Sequence, residues 1–233
     1  MNFVTEEFYR DTLEEISMNA TTKLVALGIL LALTAPAAFN SESKTAYSID
    51  SAKSKIEIKV AKDGLFKAFG HDHVVTASKF AGNMQFATAK VEDSSVSFTT
   101  EANSLRVVDP GESERDRNEV QTTMLGEQVL NAARYPRIQF SSSMIKVVSA
   151  SKNTFDLQVT GTLTLHGTQK PVTLPVHLQI SDDGSLTCDT ELSLLQSEFG
   201  ITPYKAAGGA VKVKDKLKLT FHIVATKAAS SAN

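Results

Sequence analysis

Tryptophan is absent from this 233-residue sequence, aromatic residues make up only 7% of it, and Cys188 is its single cysteine. A lone cysteine excludes an intramolecular disulfide framework and any metal site built from several thiolates. Because Cys188 lies in a segment that alternates like a strand, we interpret it as a small core residue rather than a nucleophile. The formal net charge of −2 argues against a nucleic-acid-binding surface, which requires clustered lysine and arginine.

The N-terminal region predicts export. An apolar run at 24–33 follows Lys23 and is too short to span a bilayer comfortably. The small-x-small pattern Ala35-Pro36-Ala37 comes directly after it, so residues 18–38 are predicted to form a secretory signal peptide. The protein is therefore expected to be periplasmic or secreted, with an uncleaved membrane anchor as the alternative.

Residues 1–17 do not fit a signal peptide, because they are acidic and Arg10 is their only basic residue. We interpret them as an upstream extension that is not native to the protein, with translation starting at Met18. The rest of the chain predicts one domain at 41–227 and a short disordered tail at 228–233.

From Ala46 onward the dominant hydrophobic period is two, which indicates strands with one buried face. About eight strands at this spacing favour a sandwich or a closed barrel. The strands are predicted at Lys55–Val60, Phe80–Ala87, Val91–Leu105, Arg137–Val148, Phe155–Leu165, Val172–Ile180, Leu186–Leu195 and Lys216–Ala225.

One segment departs from the strand period. Apolar residues in Asn118–Ala133 recur about one helical turn apart, and Tyr135-Pro136 follows as a stop signal, so one helix is predicted between two strands. The preceding Asp109–Arg117 is predicted to be a charged, exposed loop.

Four segments in this order resemble the YceI-like family of polyisoprenoid-binding, lipocalin-like bacterial proteins. Together they cover most of the chain from about Tyr47 to Ala225. They are Gly70-His-Asp-His73 with Lys79-Phe-Ala-Gly82, Met124 to Pro136, Gly161-Thr-Leu-Thr-Leu-His-Gly167 with Lys170-Pro-Val172, and Gln196-Ser-Glu-Phe-Gly-Ile201 with the last strand.

The resemblance implies an all-β protein, an eight-stranded antiparallel lipocalin-like barrel with one inserted helix. It also implies an internal tunnel for an isoprenoid lipid of the quinone or polyprenyl type. Carried over by position, His71 falls in the first hairpin, Phe80 in the next strand and His166 in the Leu-His-Gly turn. Thr123 stands where many members have a histidine, and the run at 200–209 resembles a feature of a subgroup.

Candidates for contact with the lipid are His71, His73, His166 and a set of aromatic residues. Ordinary core packing is the alternative for every aromatic in the set. The aromatic candidates are Phe66, Phe69, Phe80, Phe140, Phe199 and Tyr204.

The sequence leaves alternatives to lipid carriage open. His71 and His73 share a face if they lie on a strand, so a periplasmic metal-binding or stress-related protein is the alternative, with a third ligand from His166, His177 or His222. Hydrolase and phosphate-binding motifs are missing from the sequence, so we expect no enzyme activity and no cofactor beyond a bound polyisoprenoid or quinone. A structural or partner-binding barrel with a filled interior is a third possible function.

The expected partners are an isoprenoid lipid, a membrane in transient contact and a second copy in a homodimer, but no nucleic acid.

Overall fold

The computed structural model describes residues 44–63 and 72–229. The signal peptide, the upstream extension and most of the predicted tail therefore lie outside the described residues. The described elements are the strands β1 (Thr45–Ile49), β2 (Lys55–Asp63), β3 (His73–Ala77), β4 (Phe80–Phe86), β5 (Ser95–Glu101), β6 (Leu105–Val107), β7 (Arg137–Ser151), β8 (Thr154–Leu165), β9 (Thr168–Ile180), β10 (Leu186–Leu195), β11 (Lys205–Ala206) and β12 (Val211–Lys227), and the helix α1 (Glu114–Leu125).

The sheet closes on itself. Its hydrogen-bonded order runs β1, β4, β5, β7, β8, β9, β10 and β12, and β12 then pairs with β1. Every pairing in this ring is antiparallel. The prediction of an eight-stranded antiparallel barrel is confirmed, and closure leaves these strands without exposed edges.

Three of the eight strands are interrupted. β1 and β2 both pair antiparallel with β12. On their other side, β4 pairs with β1 and β3 pairs with β2. Further along the sheet, β5 pairs with β4 and β6 pairs with β3. Each of the pairs β1/β2, β3/β4 and β5/β6 is thus one strand with a break. The segments β2, β3 and β6 extend the sheet beyond the closed ring.

The helix α1 protects the last strand of this extension. The Gln121 side chain accepts a hydrogen bond from the Val107 amide at 2.8 Å and donates one to the Leu105 carbonyl at 2.8 Å. It therefore satisfies backbone groups of β6 as a neighbouring strand would. Val120 and Met124, on the same helix, pack against the apolar cluster beneath.

The alternating sequence pattern explains why these strands curve around a common interior. Leu157 lies opposite Val176, and Val159 opposite Leu174, on adjacent strands β8 and β9. Side chains two residues apart point to the same side of a sheet, so each apolar series faces inward as a unit. The apolar faces predicted from the sequence are the inner faces of the barrel.

The predicted position of the helix was wrong by about one turn at its start and two at its end. Ser113 caps the N-terminus, where its hydroxyl accepts a hydrogen bond from the Asp116 amide at 3.1 Å, and Gly126 follows the last helical residue. Residues 114–117 are therefore helical rather than loop, and the chain continues through turns to Tyr135. Within the described part of the chain, no helix combines the length and apolarity needed to cross a membrane.

The predicted strand Val91–Leu105 is divided. Short 3-10 turns at Val91–Asp93 and Ala102–Ser104 flank β5. The side chains of Val91 and Ala102 in these turns are buried in the core. The Thr100 and Ser104 hydroxyls both donate to the Lys79 carbonyl, at 2.7 and 3.1 Å. These bonds hold the break between β5 and β6 against the break between β3 and β4.

Replacing Gly161 should destabilise the barrel. A Cβ atom there would lie 2.6 Å from Cζ of Phe140 and closer still to the Ser141 carbonyl, which is backbone and cannot move aside. We expect Gly161→Ala to lower the free energy of unfolding by about 2 kcal/mol, as overpacking does in other cores. Urea denaturation measures this change. The control is Thr162→Ala at the exposed neighbouring position, and equal stability of the two variants would contradict the expectation.

Candidate functional site

The interior of the barrel is hollow. Its cavity measures about 720 Å³, within the range of about 300–1,000 Å³ typical of small-molecule sites. Inward-facing aliphatic side chains from almost every strand form the wall. Those of β8, β9, β10 and β12 are Leu157, Val159, Leu163, Leu165, Val172, Leu174, Val176, Leu178, Leu186, Leu192, Leu194, Val211, Val213, Leu217, Leu219 and Ile223.

Few polar groups interrupt this wall. On the inner face of β10, Cys188 and Thr190 stand between Leu186 and Leu192. The buried Thr190 hydroxyl has no hydrogen-bond partner among the described residues. The interior therefore offers an occupant mainly hydrocarbon contact.

Burial in this wall changes the chemistry of Cys188. Removal from water raises the pKa of its thiol to about 12, and the negative charge of the neighbouring Asp189 adds to the rise. Only a thiolate is a strong nucleophile, so Cys188 is a poor one at neutral pH.

The cavity reaches the surface near α1. The exposed carboxylates of Asp116 and Glu119 line it there, together with the half-buried Glu112. Residues around β11 and the start of β12 form another part of this rim, among them Tyr204 and Lys212. The Lys212 ammonium lies 3.2 Å from the Asp63 carboxylate.

A histidine–aspartate pair stands at the same end. His73 lines the cavity, and its Nδ1 lies 2.7 Å from Oδ2 of Asp109. The other oxygen of Asp109 accepts a hydrogen bond from the Val74 amide at 2.5 Å. Asp109 is only 2% exposed. Its prediction as part of an exposed loop was wrong, because these two bonds draw it beneath the start of β3.

The predicted contact residues divide into three groups. Phe66, Phe69 and His71 lie outside the described residues. His73, Phe140 and Tyr204 line the cavity. The structure does not place Phe80, His166 and Phe199 in the cavity wall, although they stand close to residues that form it. Contact with a ligand stays a prediction for all of them.

Each residue of the third group has a packing role. Phe80 packs on Phe98 with ring centroids 5.9 Å apart, and Phe98 lines the cavity while Phe80 does not. Phe199 is fully buried in a cluster with Leu165, Leu194 and Ile201. These two positions fit the core-packing alternative.

His166 belongs to a turn that joins β8 to β9. Its ring packs on Tyr135 with centroids 4.3 Å apart, and its Nδ1 lies 3.3 Å from the Phe199 carbonyl oxygen. The Tyr135-Pro136 and Leu165-His166-Gly167 motifs therefore meet in space. The contact between Tyr135 and His166 fixes the segment after α1 against the barrel, and neither of these two residues lines the cavity.

The other histidines in the described part of the chain do not gather around His73. His177 and His222 lie on the outer surface, where each places Nδ1 2.7 Å from a carboxylate oxygen, of Asp156 and Asp189 respectively. Across the described residues, no group of three or more His, Cys, Asp or Glu side chains is arranged to hold a metal ion. The structure thus brings none of the three proposed third ligands to His73.

Comparison with known proteins identifies related chains. A family model described as the YceI-like domain matches residues 47–225. A UPF0312 protein of Shewanella denitrificans is 35% identical over 100 residues, which cover 43% of this chain and 46% of that protein. Protein YceI of Salmonella newport is 31% identical over 135 residues, which cover 54% of this chain and 64% of that protein. The chain thus matches less than two thirds of the length of either relative.

Two solved structures share the architecture. Burkholderia cenocepacia BcnA superposes with a TM-score of 0.59 at 26% identity, over 76% of this chain and 99% of BcnA. A polyisoprenoid-binding domain from Saccharophagus degradans, implicated in plant cell wall breakdown, gives a TM-score of 0.57 at 14% identity. That match covers 79% of this chain and all of the other domain. At such low identity the second likeness shows the fold alone.

Cys188 should resist alkylation while the barrel is folded. Because the pKa of its thiol is raised to about 12, the thiolate fraction at pH 8 is small and should grow about tenfold for each unit of pH below that value. Mass spectrometry after timed exposure to iodoacetamide gives the rate. The urea-unfolded chain is the control and should react at the rate of an ordinary thiol. Equal rates in the folded and unfolded chain would contradict the assignment.

Removing the Asp109 carboxylate should weaken the fold around His73. Asp109→Ala leaves the Val74 amide and the His73 ring without the bonds described above, and we expect a loss of about 2–3 kcal/mol in the free energy of unfolding. Urea denaturation measures it. Asp182→Ala removes an exposed carboxylate from the turn before β10 and should change stability little. An equally small effect of Asp109→Ala would contradict the role given to this pair.

Proposed function

The chain belongs to the YceI-like family, and on that premise we propose that it holds the hydrocarbon tail of an isoprenoid lipid, of the quinone or polyprenyl type, inside its barrel. The observation that carries the proposal is the cavity of about 720 Å³ with its aliphatic wall. The domain from Saccharophagus degradans that shares this barrel architecture is a polyisoprenoid-binding domain, so the proposed ligand is one that a barrel of this shape accommodates.

The energetics favour a carrier over a permanent store. Each methylene group moved from water into an apolar site is stabilised by about 0.8 kcal/mol. A bilayer offers the same lipid a comparable apolar environment, so the free energy of transfer between membrane and barrel is small. Such a balance lets the protein both load and unload.

The polar end of the cavity suits a head group. An isoprenoid tail placed along the aliphatic wall leaves its oxygen-bearing end near His73 and Tyr204, which line the cavity close to α1. The Asp109 carboxylate fixes the orientation of the His73 ring, so it presents the same face to each ligand. This arrangement binds and orients, and the proposal assigns it no catalytic step.

We place this activity in the periplasm or outside the cell. Support comes from the apolar run at 24–33, with Lys23 before it and the small-x-small pattern at 35–37 after it. An isoprenoid that crosses an aqueous compartment between membranes needs its tail covered. A closed barrel with an apolar interior provides that cover.

Substitutions at Thr190 test the proposal. Thr190→Phe should place a ring in the middle of the cavity without breaking any described hydrogen bond, because the Thr190 hydroxyl has none. The protein is expressed with its signal, purified and extracted with organic solvent, and the extract is analysed by mass spectrometry. We expect wild-type protein to yield isoprenoid lipid and Thr190→Phe to yield at least tenfold less.

Thr190→Val is the matched control, because it has nearly the same shape and leaves the cavity open. It should retain the lipid and be as stable as wild type or slightly more so, since it removes an unpaired buried hydroxyl. Wild-type extracts without isoprenoid lipid would contradict the proposal, and so would equal lipid content in Thr190→Phe and Thr190→Val.

A further inference from the structure

The hairpin of β11 and β12 projects from the rim of the cavity. Lys205 and Ala206 pair with Lys212 and Val211, and residues 207–210 form the connection. Gly208 and Gly209 both have positive φ, and a Cβ atom built on either would meet nothing within 4 Å. The two glycines at the tip therefore have open space beside them.

The composition of this hairpin suits contact with an anionic lipid surface. The tip sequence at 206–211 consists of alanine, glycine and one valine, and Val211 is 48% exposed. Lys205, Lys212 and Lys214 flank it, and residues 203–214 contain no acidic residue. Small apolar residues at a tip, with lysines behind them, match the layering of a bilayer whose surface carries anionic phosphates.

The position of the hairpin connects it to the lipid path. Tyr204, Ala206, Val211 and Val213 all line the cavity. Whatever surface the tip meets is therefore next to the opening through which an isoprenoid enters. A hairpin of the same composition elsewhere on the barrel would not have this consequence.

We propose that the β11–β12 hairpin is the element with which the protein docks on an anionic lipid bilayer. The tip enters the interface, and Lys205 and Lys214 contact lipid phosphates. Lys212 contributes less, because it is paired with Asp63 at 3.2 Å. Docking itself does not depend on the proposed function. Its purpose, the exchange of an isoprenoid between bilayer and barrel, rests on that function.

The charges around the rim give the contact a direction. Asp116 and Glu119 are exposed on the α1 side and have no cationic partner within 4 Å among the described residues. Arg115 and Arg117 lie among these carboxylates on α1 and offset part of their charge, whereas the hairpin carries lysines without acidic residues, so anionic lipid attracts the hairpin more strongly. Docking therefore occurs through the hairpin first, and it is weak and sensitive to salt, as reversible exchange requires.

Vesicle co-flotation of the purified chain tests this docking. The probes are vesicles of phosphatidylcholine alone and vesicles with one third phosphatidylglycerol. All variants keep the same N-terminus, so the apolar run at 24–33 contributes equally to each. Lys205→Gln with Lys214→Gln should weaken binding to the anionic vesicles on the order of 20-fold, since each lysine near such a surface is worth about fivefold. Val211→Ser should weaken it further.

The matched control is Lys146→Gln with Lys170→Gln, which removes the same charge from exposed positions on β7 and β9. It should bind as wild type. Equal losses in both double variants would show a response to net charge alone and would overturn the proposal. Undiminished binding of the hairpin variant, or wild-type binding that is equally strong without phosphatidylglycerol, would also overturn it.

Failure of docking and failure of the carrier function remain distinguishable. Vesicle binding requires no ligand in the barrel, so it can be positive in a protein whose extracts hold no isoprenoid. The docking proposal further expects the hairpin variant to exchange isoprenoid with vesicles more slowly than Lys146→Gln with Lys170→Gln. Its lipid content at equilibrium should be unchanged, because Lys205 and Lys214 are not in the cavity wall.

Discussion

The barrel depends on the pairing of its last strand, because β12 joins parts of the chain that are far apart in sequence. One edge of β12 pairs with β10 along ten residues, and the other pairs with β2 and then with β1. Without this pairing the sheet would be open and its apolar inner faces would meet water. With it, the alternation of each strand converts directly into an inside and an outside. The cavity, its opening and the hairpin beside it all follow from that closure.

Closure alone does not produce a hollow interior, since small eight-stranded barrels are often filled by their own side chains. Here the inward positions are mostly valine, leucine and isoleucine, and only a few aromatic rings such as Phe98, Phe140 and Phe221 reach the cavity. Gly161 makes room for the Phe140 ring close to the sheet rather than across the interior. An empty apolar cavity costs free energy because its walls lose dispersion contacts. An apolar occupant restores those contacts, so the same feature that weakens the empty barrel favours a ligand.

The sequence predicted this architecture where its signal was periodic and failed where single side chains decide the outcome. The strand period located β7 to β10 and β12 and identified the apolar faces that line the cavity. It could not show that Ser113 begins the helix early, that Gly126 ends it, or that Asp109 turns inward to His73. The aromatic candidates were chosen by residue type, and among the described ones Phe140 and Tyr204 line the cavity while Phe80 and Phe199 do not. A selection by inward register would have added Val176, Cys188 and Leu192, which alternate in phase with their strands and line the cavity.

The family motifs contribute to the barrel in two ways. Some of their residues, such as Leu163, Leu165 and Val172, line the cavity, and others fix turns outside it. The motif residues Tyr135, His166 and Gly167 meet in a turn contact that fixes the chain path after α1. Such a contact needs particular residues, because ring stacking and a tight turn tolerate few replacements. The wall needs only aliphatic side chains of suitable volume, and Leu, Ile and Val exchange there at small cost. The volume that the wall encloses is therefore set by side chains that tolerate exchange more readily than the turn contact does.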